Sequence, residues 1–131
     1  MMAVCVDPER VKEFLPHFGH YIKSAVDRVG ITDYERIVRD LLNGCALLWL
    51  ACEENTVHAA AVTALVDDVC EIVACGGRGL PAFLPLIGRL EQYARDEQCT
   101  SMRIIGRRGW LRVLKNYKQK AVILERPLDG R

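Results

Sequence analysis

No apolar run in this 131-residue chain reaches the ~18 residues that a membrane-crossing helix needs. The first ten residues carry no basic stretch leading into an apolar one, so no secretory signal is visible and a cytoplasmic setting is expected. There are six cysteines but no C-x-x-C pair, and their gaps of 40, 7, 18, 5 and 24 follow no metal-ligand rhythm. Neither a metal nor a disulfide framework is therefore expected. Cys52 and Cys70 lie inside apolar runs, where a free thiol behaves as a small hydrophobe, as suits a reducing compartment. There is no repeat, linker or low-complexity stretch, so residues 1–131 read as a single domain. With 50% hydrophobic and 27% charged residues, the chain is neither disordered nor fibrous.

The formal charge of +1 hides an asymmetry. Residues 1–100 carry 9 Lys and Arg against 15 Asp and Glu, whereas residues 101–131 carry 9 against 2. Between Ser101 and Lys120 there are seven basic residues and no acidic one. Such a segment either attracts phosphates or forms a solvated face balancing an acidic neighbour. A nucleic-acid role is disfavoured by the acidic first hundred residues.

Asp7-Pro8 has the form of a helix start, with Asp as cap and Pro where no hydrogen bond is lost. Val11, Phe14, Leu15, Phe18, Ile22, Val26 and Val29 follow at helical spacing, with Pro16 and Gly19 expected to split or kink the run. Thr32-Asp33-Tyr34-Glu35 resembles a capping box opening a second helix, which Asn43-Gly44 ends. The period then shortens. Ala46–Cys52 and Val57–Val66 read as a hairpin, and Val69–Ala74 as the next strand. A helix from Pro81 to near Cys99, a strand Met102–Ile105, a helix from Trp110 through Tyr117 and a last strand Ala121–Glu125 complete the reading. Such an order predicts an α+β protein with a mixed central sheet and helices on both faces.

The most informative segment is Cys75-Gly76-Gly77-Arg78-Gly79-Leu80-Pro81. A strand ends, three glycines in four residues allow a tight turn, and a helix begins at once. A helix amino-terminus carries unpaired N–H groups and partial positive charge, so the segment can cradle a phosphate, with Arg78 as a charged donor. The alternative is a turn that only reverses the chain. It is neither a Walker A loop nor the dinucleotide G-x-G-x-x-G.

The element order and the strand–glycine loop–helix around Gly76 to Pro81 resemble the GCN5-related N-acetyltransferase (GNAT) superfamily. The tail Gly106-Arg107-Arg108-Gly109-Trp110-Leu111-Arg112-Val113-Leu114-Lys115-Asn116-Tyr117 resembles that of small acetyltransferase-like proteins of bacteriophages and prophages, which would place it in a bacterial host cytoplasm. The resemblance covers about residues 5–128. It implies an α/β/α-layered fold in which two parallel strands splay apart and acetyl-CoA wedges between them. Backbone groups of Ile72, Val73 and Ala74 would then pair with the pantetheine arm. The loop of Gly76, Gly77, Arg78, Gly79 and Leu80 would hold the diphosphate, and Arg107 and Arg108 would meet the phosphorylated adenosine. Two departures stand out. Arg78 lies within the loop where the family places a Gln or Arg ahead of it, and Tyr117 sits about one helical turn from the family's tyrosine.

Amine acetylation needs a base near the amine and an acid for the leaving thiolate. Glu71 is the candidate base, the alternative being a solvent-facing edge residue. Tyr117 is the candidate acid, or else a tyrosine of the core. His17 and His20 stand three apart but lack a third ligand, and His58 reads as structural. The resemblance thus implies an acetyl-CoA-dependent N-acetyltransferase acting on an amine. The alternative is a catalytically silent binding or structural protein of the same fold, a phage accessory or assembly component able to form a homo-oligomer.

Overall fold

The computed structural model describes residues 1–129, the Leu80 side chain excepted. Five strands form one sheet in sequence order: β1 (Met2–Cys5), β2 (Leu47–Glu53), β3 (Thr56–Val66), β4 (Val69–Gly77) and β5 (Ser101–Ile104). The first four are antiparallel, and β5 lies parallel to β4. Between β1 and β2 run a 3-10 turn (Pro8–Arg10), α1 (Val11–Val29) and α2 (Tyr34–Leu42). Helix α3 (Leu80–Asp96) crosses from β4 to β5, and α4 (Trp110–Val113) follows β5. A mixed sheet with helices on both faces is therefore what the chain forms.

Side-chain alternation along the strands builds two cores. Leu48 and Leu50 of β2 and Ala60 and Val62 of β3 pack with Ile22, Val26, Ile37 and Leu41 of α1 and α2. Their neighbours Trp49, Ala51, Ala59 and Ala61 face the other way, onto Ala82, Leu86, Ile87 and Leu90 of α3. Being covered on both sides, β2 and β3 read as near-continuous apolar runs. The buried Trp49 indole donates to Thr63 Oγ1 at 2.9 Å, so the one buried polar side chain of the central strands has its partner.

Several expectations need correction. The edge strand β1 was absent from the sequence reading; four residues beside a helix cap carry too short a pattern, yet Met2 to Cys5 pair with Cys52 to Trp49. Helix α1 runs unbroken through Pro16 and Gly19. Pro16 is exposed near the first turns, where water can take the carbonyl it leaves unbonded, and at Gly19 a Cβ would land on the Tyr34 hydroxyl of α2. The cap of α2 is Asp33, whose carboxylate accepts the Arg36 N–H at 2.8 Å, and not Thr32.

The carboxyl-terminal elements also differ. Helix α4 stops at Val113 because Leu114 turns to ψ 86°, leaving Tyr117 outside any helix. Ala121–Glu125 forms no strand, since no sheet edge pairs with it. Among the described residues, no helix is long and apolar enough to cross a membrane.

Candidate active site

Strand β4 is the axis of the site. It pairs with β3 over its whole length, but with β5 only from Val69 to Ile72. The last tie is the Ile105 N–H to the Ile72 carbonyl, already long at 3.5 Å. At that point the register against β3 slips: Val62 faces Ala74 and Thr63 faces Ile72, leaving Val73 as an extra residue. A bulge of this kind bends its strand and increases the local twist. So β4 and β5 part where β4 is bent, and Val73 to Gly77 have no strand on that edge. The parting lies at the carboxyl ends of two parallel strands, a recurrent place for ligands in such sheets.

The elements that follow each strand bring basic groups to this end. Arg78 follows β4, and Arg107 and Arg108 follow β5 at the start of α4; all three are exposed. Arg78 is held by its surroundings. Its Nε–H donates to the Tyr21 hydroxyl at 3.1 Å, and that hydroxyl donates to the Val57 carbonyl at 3.2 Å, tying the loop to α1 and β3. Its backbone N–H is spent on the His58 carbonyl at 2.9 Å.

Strand β4 runs past the expected Ala74 to Gly77, so Gly76 and Gly77, expected in the loop, pair instead with Ala60 and Ala59 of β3, and the glycines divide into two kinds. A Cβ on Gly76 would strike the Tyr21 carbonyl of α1, and one on Gly77 the His58 carbonyl and Ala59 of β3. Both permit close approach to the protein's own backbone. Gly79, at φ 116°, adopts a conformation that L side chains rarely take, and only the Pro81 ring lies within 4.0 Å of the missing Cβ. In the first turn of α3, Pro81 has no N–H, and the Ala82 and Phe83 N–H groups turn back to the Gly79 carbonyl. The pull on an anion here comes from the helix dipole and the Arg78 side chain. The Leu80 side chain lies outside the described residues.

On the α3 side the diverging halves meet again. Phe83, on the first turn of α3, packs edge-on against Trp110 of α4, with ring centroids 5.4 Å apart. Gly106 makes room for that indole, since a Cβ there would strike its Cδ1.

Glu71 stands across the strand pair from Arg103, its Oε2 3.4 Å from the Arg103 Nη1. Its side chain is 19% exposed. Alternation from Ile72, which faces α3, turns Glu71 to the α1 side of the sheet. Tyr117 lies on the α3 side, packed against the core there, and its hydroxyl donates to the Glu91 carboxylate at 2.8 Å. Burial first, then that bond to Glu91, pushes its pKa well above the ordinary tyrosine value. Glu71 and Tyr117 are thus on opposite faces, each with a charged partner.

Burial pushes the Cys75 thiol up to about 12 and that of Cys70 up to about 11, which makes poor nucleophiles of both. The six cysteines are free thiols, and among the described residues no group of three or more His, Cys, Asp and Glu could hold a metal. The exposed His20 tilts against Tyr21, with centroids 4.2 Å apart. The Val73 bulge, the Tyr21–Arg78 tie and the Phe83–Trp110 contact were missed from sequence. Only the last had a signal, an aromatic directly after Gly109 at the start of a helix.

No protein-family model and no curated protein sequence matches the chain. Solved structures do resemble it. A predicted acetyltransferase from Clostridium acetobutylicum, solved with acetyl-CoA, superposes with a TM-score of 0.69 at 16% identity, over 99% of this chain and 97% of that one. An aminoglycoside acetyltransferase from an uncultured soil metagenomic sample, in complex with sisomicin, gives 0.70 at 10% identity over 97% and 95%. A GNAT family acetyltransferase from Staphylococcus aureus gives 0.61 at 11% identity over 97% and 98%. At these identities the likeness is one of fold: the chain has the GNAT acetyltransferase fold across nearly its whole length.

Proposed function

We propose that this chain is an acetyl-CoA-dependent N-acetyltransferase that passes the acyl group directly to an amine. The observation that carries the reading is the parting of β4 and β5 after Ile72, at a bulge, with Arg78, Arg107 and Arg108 gathered at the same end. Acetyl-CoA supplies an activated thioester carbonyl. In this reading the free edge of β4 at Ile72, Val73 and Ala74 takes the pantetheine arm as an added strand. Gly76, Gly77, Arg78, Gly79 and Leu80 bound the diphosphate, and Arg107 and Arg108 meet the remaining phosphate. That the acetyltransferases of like fold include one solved with acetyl-CoA supports the assignment.

Glu71 is the proposed base that accepts the proton the amine loses, with Arg103 across the strand 3.4 Å away. Tyr117 is the proposed acid for the thiolate, and it has to leave Glu91 to serve. The acceptor is an amine; one neighbour of like fold was solved with an aminoglycoside, which makes polyamines a sensible first panel. We place the protein in the cytoplasm as a single domain. The likeness of its tail to phage and prophage proteins suggests the cytoplasm of a bacterial host.

The test is a thermal-shift comparison of CoA, acetyl-CoA and ATP. Ligand linkage predicts a rise for the first two that exceeds the rise with ATP. No shift at millimolar acetyl-CoA removes the assignment. A second reading, a silent binding protein of this fold, is favoured by the engagement of both candidate catalytic groups and by the Phe83–Trp110 contact. It predicts a shift with acetyl-CoA but no release of free CoA over a broad amine panel.

A further inference from the structure

The turn from β4 into α3 is poor in main-chain donors for an anion. The Arg78 N–H is spent on the His58 carbonyl at 2.9 Å, and Pro81 has no N–H to offer. Those of Ala82 and Phe83 turn back to the Gly79 carbonyl. The charged donor within this turn is the Arg78 side chain, which is exposed. A loose arginine on a surface samples many rotamers, and ordering it on a ligand opposes binding. Here a tyrosine from another element has already ordered it.

We infer that Tyr21 is a positioning residue: it holds the Arg78 guanidinium as a pre-set fork whose Nη1–Nη2 edge takes the diphosphate of the co-substrate. The inference rests on the proposed use of acetyl-CoA. Its basis is the direction of two hydrogen bonds. The Tyr21 hydroxyl commits its proton to the Val57 carbonyl of β3 at 3.2 Å, so towards Arg78 it can only accept. What it accepts is the Nε–H, at 3.1 Å. With Nε anchored, the donors on Nη1 and Nη2 stay open, and they match two oxygens of a phosphate bidentately. A lysine would present a point charge in place of a fork.

Tyr21 is itself fixed from several sides. Its ring packs on the α1 core, and the His20 ring tilts against it with centroids 4.2 Å apart. Its backbone carbonyl lies over Gly76, where a Cβ would strike it. The close approach that Gly76 permits is what brings the hydroxyl within reach of a residue 57 positions along the chain. A glycine in β4, a tyrosine on α1 and an arginine after β4 therefore act together. The side chain meets the ligand, and the other two set where it stands.

The test is titration calorimetry on the full chain with CoA and with 3′-dephospho-CoA, which share the diphosphate and differ in the other phosphate. Tyr21→Phe keeps the ring and removes only the hydroxyl. It should weaken both ligands by the same factor, about tenfold. Arg78→Lys, at an exposed position that leaves the fold alone, should weaken both at least as much. In an Arg78→Ala background, Tyr21→Phe should cost no further affinity, because the two residues act as one unit. Unchanged CoA affinity in Tyr21→Phe or in Arg78→Lys would overturn the inference. So would a loss that vanishes with 3′-dephospho-CoA, or one that persists in full in the Arg78→Ala background, as a merely structural tyrosine would give. A parent chain that binds no CoA sinks the acetyl-CoA reading and the inference together, whereas a parent that binds CoA as tightly as Tyr21→Phe does sinks the inference alone.

Discussion

Replacing Gly76 with Ala separates two reasons for a glycine in the loop. The structure gives an internal one: the added methyl would strike the backbone carbonyl of Tyr21 in α1, with the Ala25 side chain next in line. A backbone oxygen cannot swing aside as a side chain does, so α1 has to lift from β4 or β4 has to bend. Overpacking of this kind costs about 1–3 kcal/mol, and a backbone contact belongs at the upper end. Helix α1 also carries Ile22 and Val26 into the core, so a lift loosens their packing as well. For a chain of this size the loss is a fall of roughly 10 °C in the melting midpoint. Urea unfolding followed by circular dichroism measures the free energy directly. The alternative is that Gly76 is small to admit a diphosphate. In that case Gly76→Ala unfolds like the parent and loses only its thermal shift with acetyl-CoA. A stability change within ±0.5 kcal/mol would refute the packing argument.

Three further outcomes are expected. Thr63→Val removes the acceptor of the buried Trp49 N–H and should cost about 1–3 kcal/mol, read from the urea midpoint, although the replacement is close in shape. Stability should decline as the pH rises above 9, the ordinary cysteine value, because the unfolded thiol of Cys75 ionises there while the folded one keeps its proton to about 12. A pH series of urea midpoints should fall less steeply for Cys75→Ala, and equal slopes would refute the assignment. Glu71→Gln should lower acetyl transfer at least about 100-fold if Glu71 is the base. It should change stability by no more than about 1 kcal/mol, because its partner Arg103 is 42% exposed.

The layers of the fold were legible because burial on both sheet faces leaves long apolar runs, and those of β2, β3 and β4 stand plainly in the sequence. The glycine cluster marked the end of β4 for the same reason: few other features let a chain turn so tightly. What escaped was whatever depends on a partner distant in sequence. Tyr21 meets Arg78 across 57 residues, and nothing local distinguishes that tyrosine from its neighbours on α1. The Val73 bulge is a mismatch between two strands and belongs to neither alone. Ala121–Glu125 erred in the opposite sense: its composition was that of a strand, but composition does not supply an edge.

The Phe83–Trp110 contact has an optical consequence. The chain has only two tryptophans, and Trp49 is sealed in the core at 1% exposure. Trp49 therefore gives a steady blue emission, while the Trp110 indole packs on Phe83 at the first turn of α3, the helix that follows the unpaired end of β4. Any molecule that enters and pries those rings apart will recolour the fluorescence, giving the native protein an unlabelled gauge of occupancy.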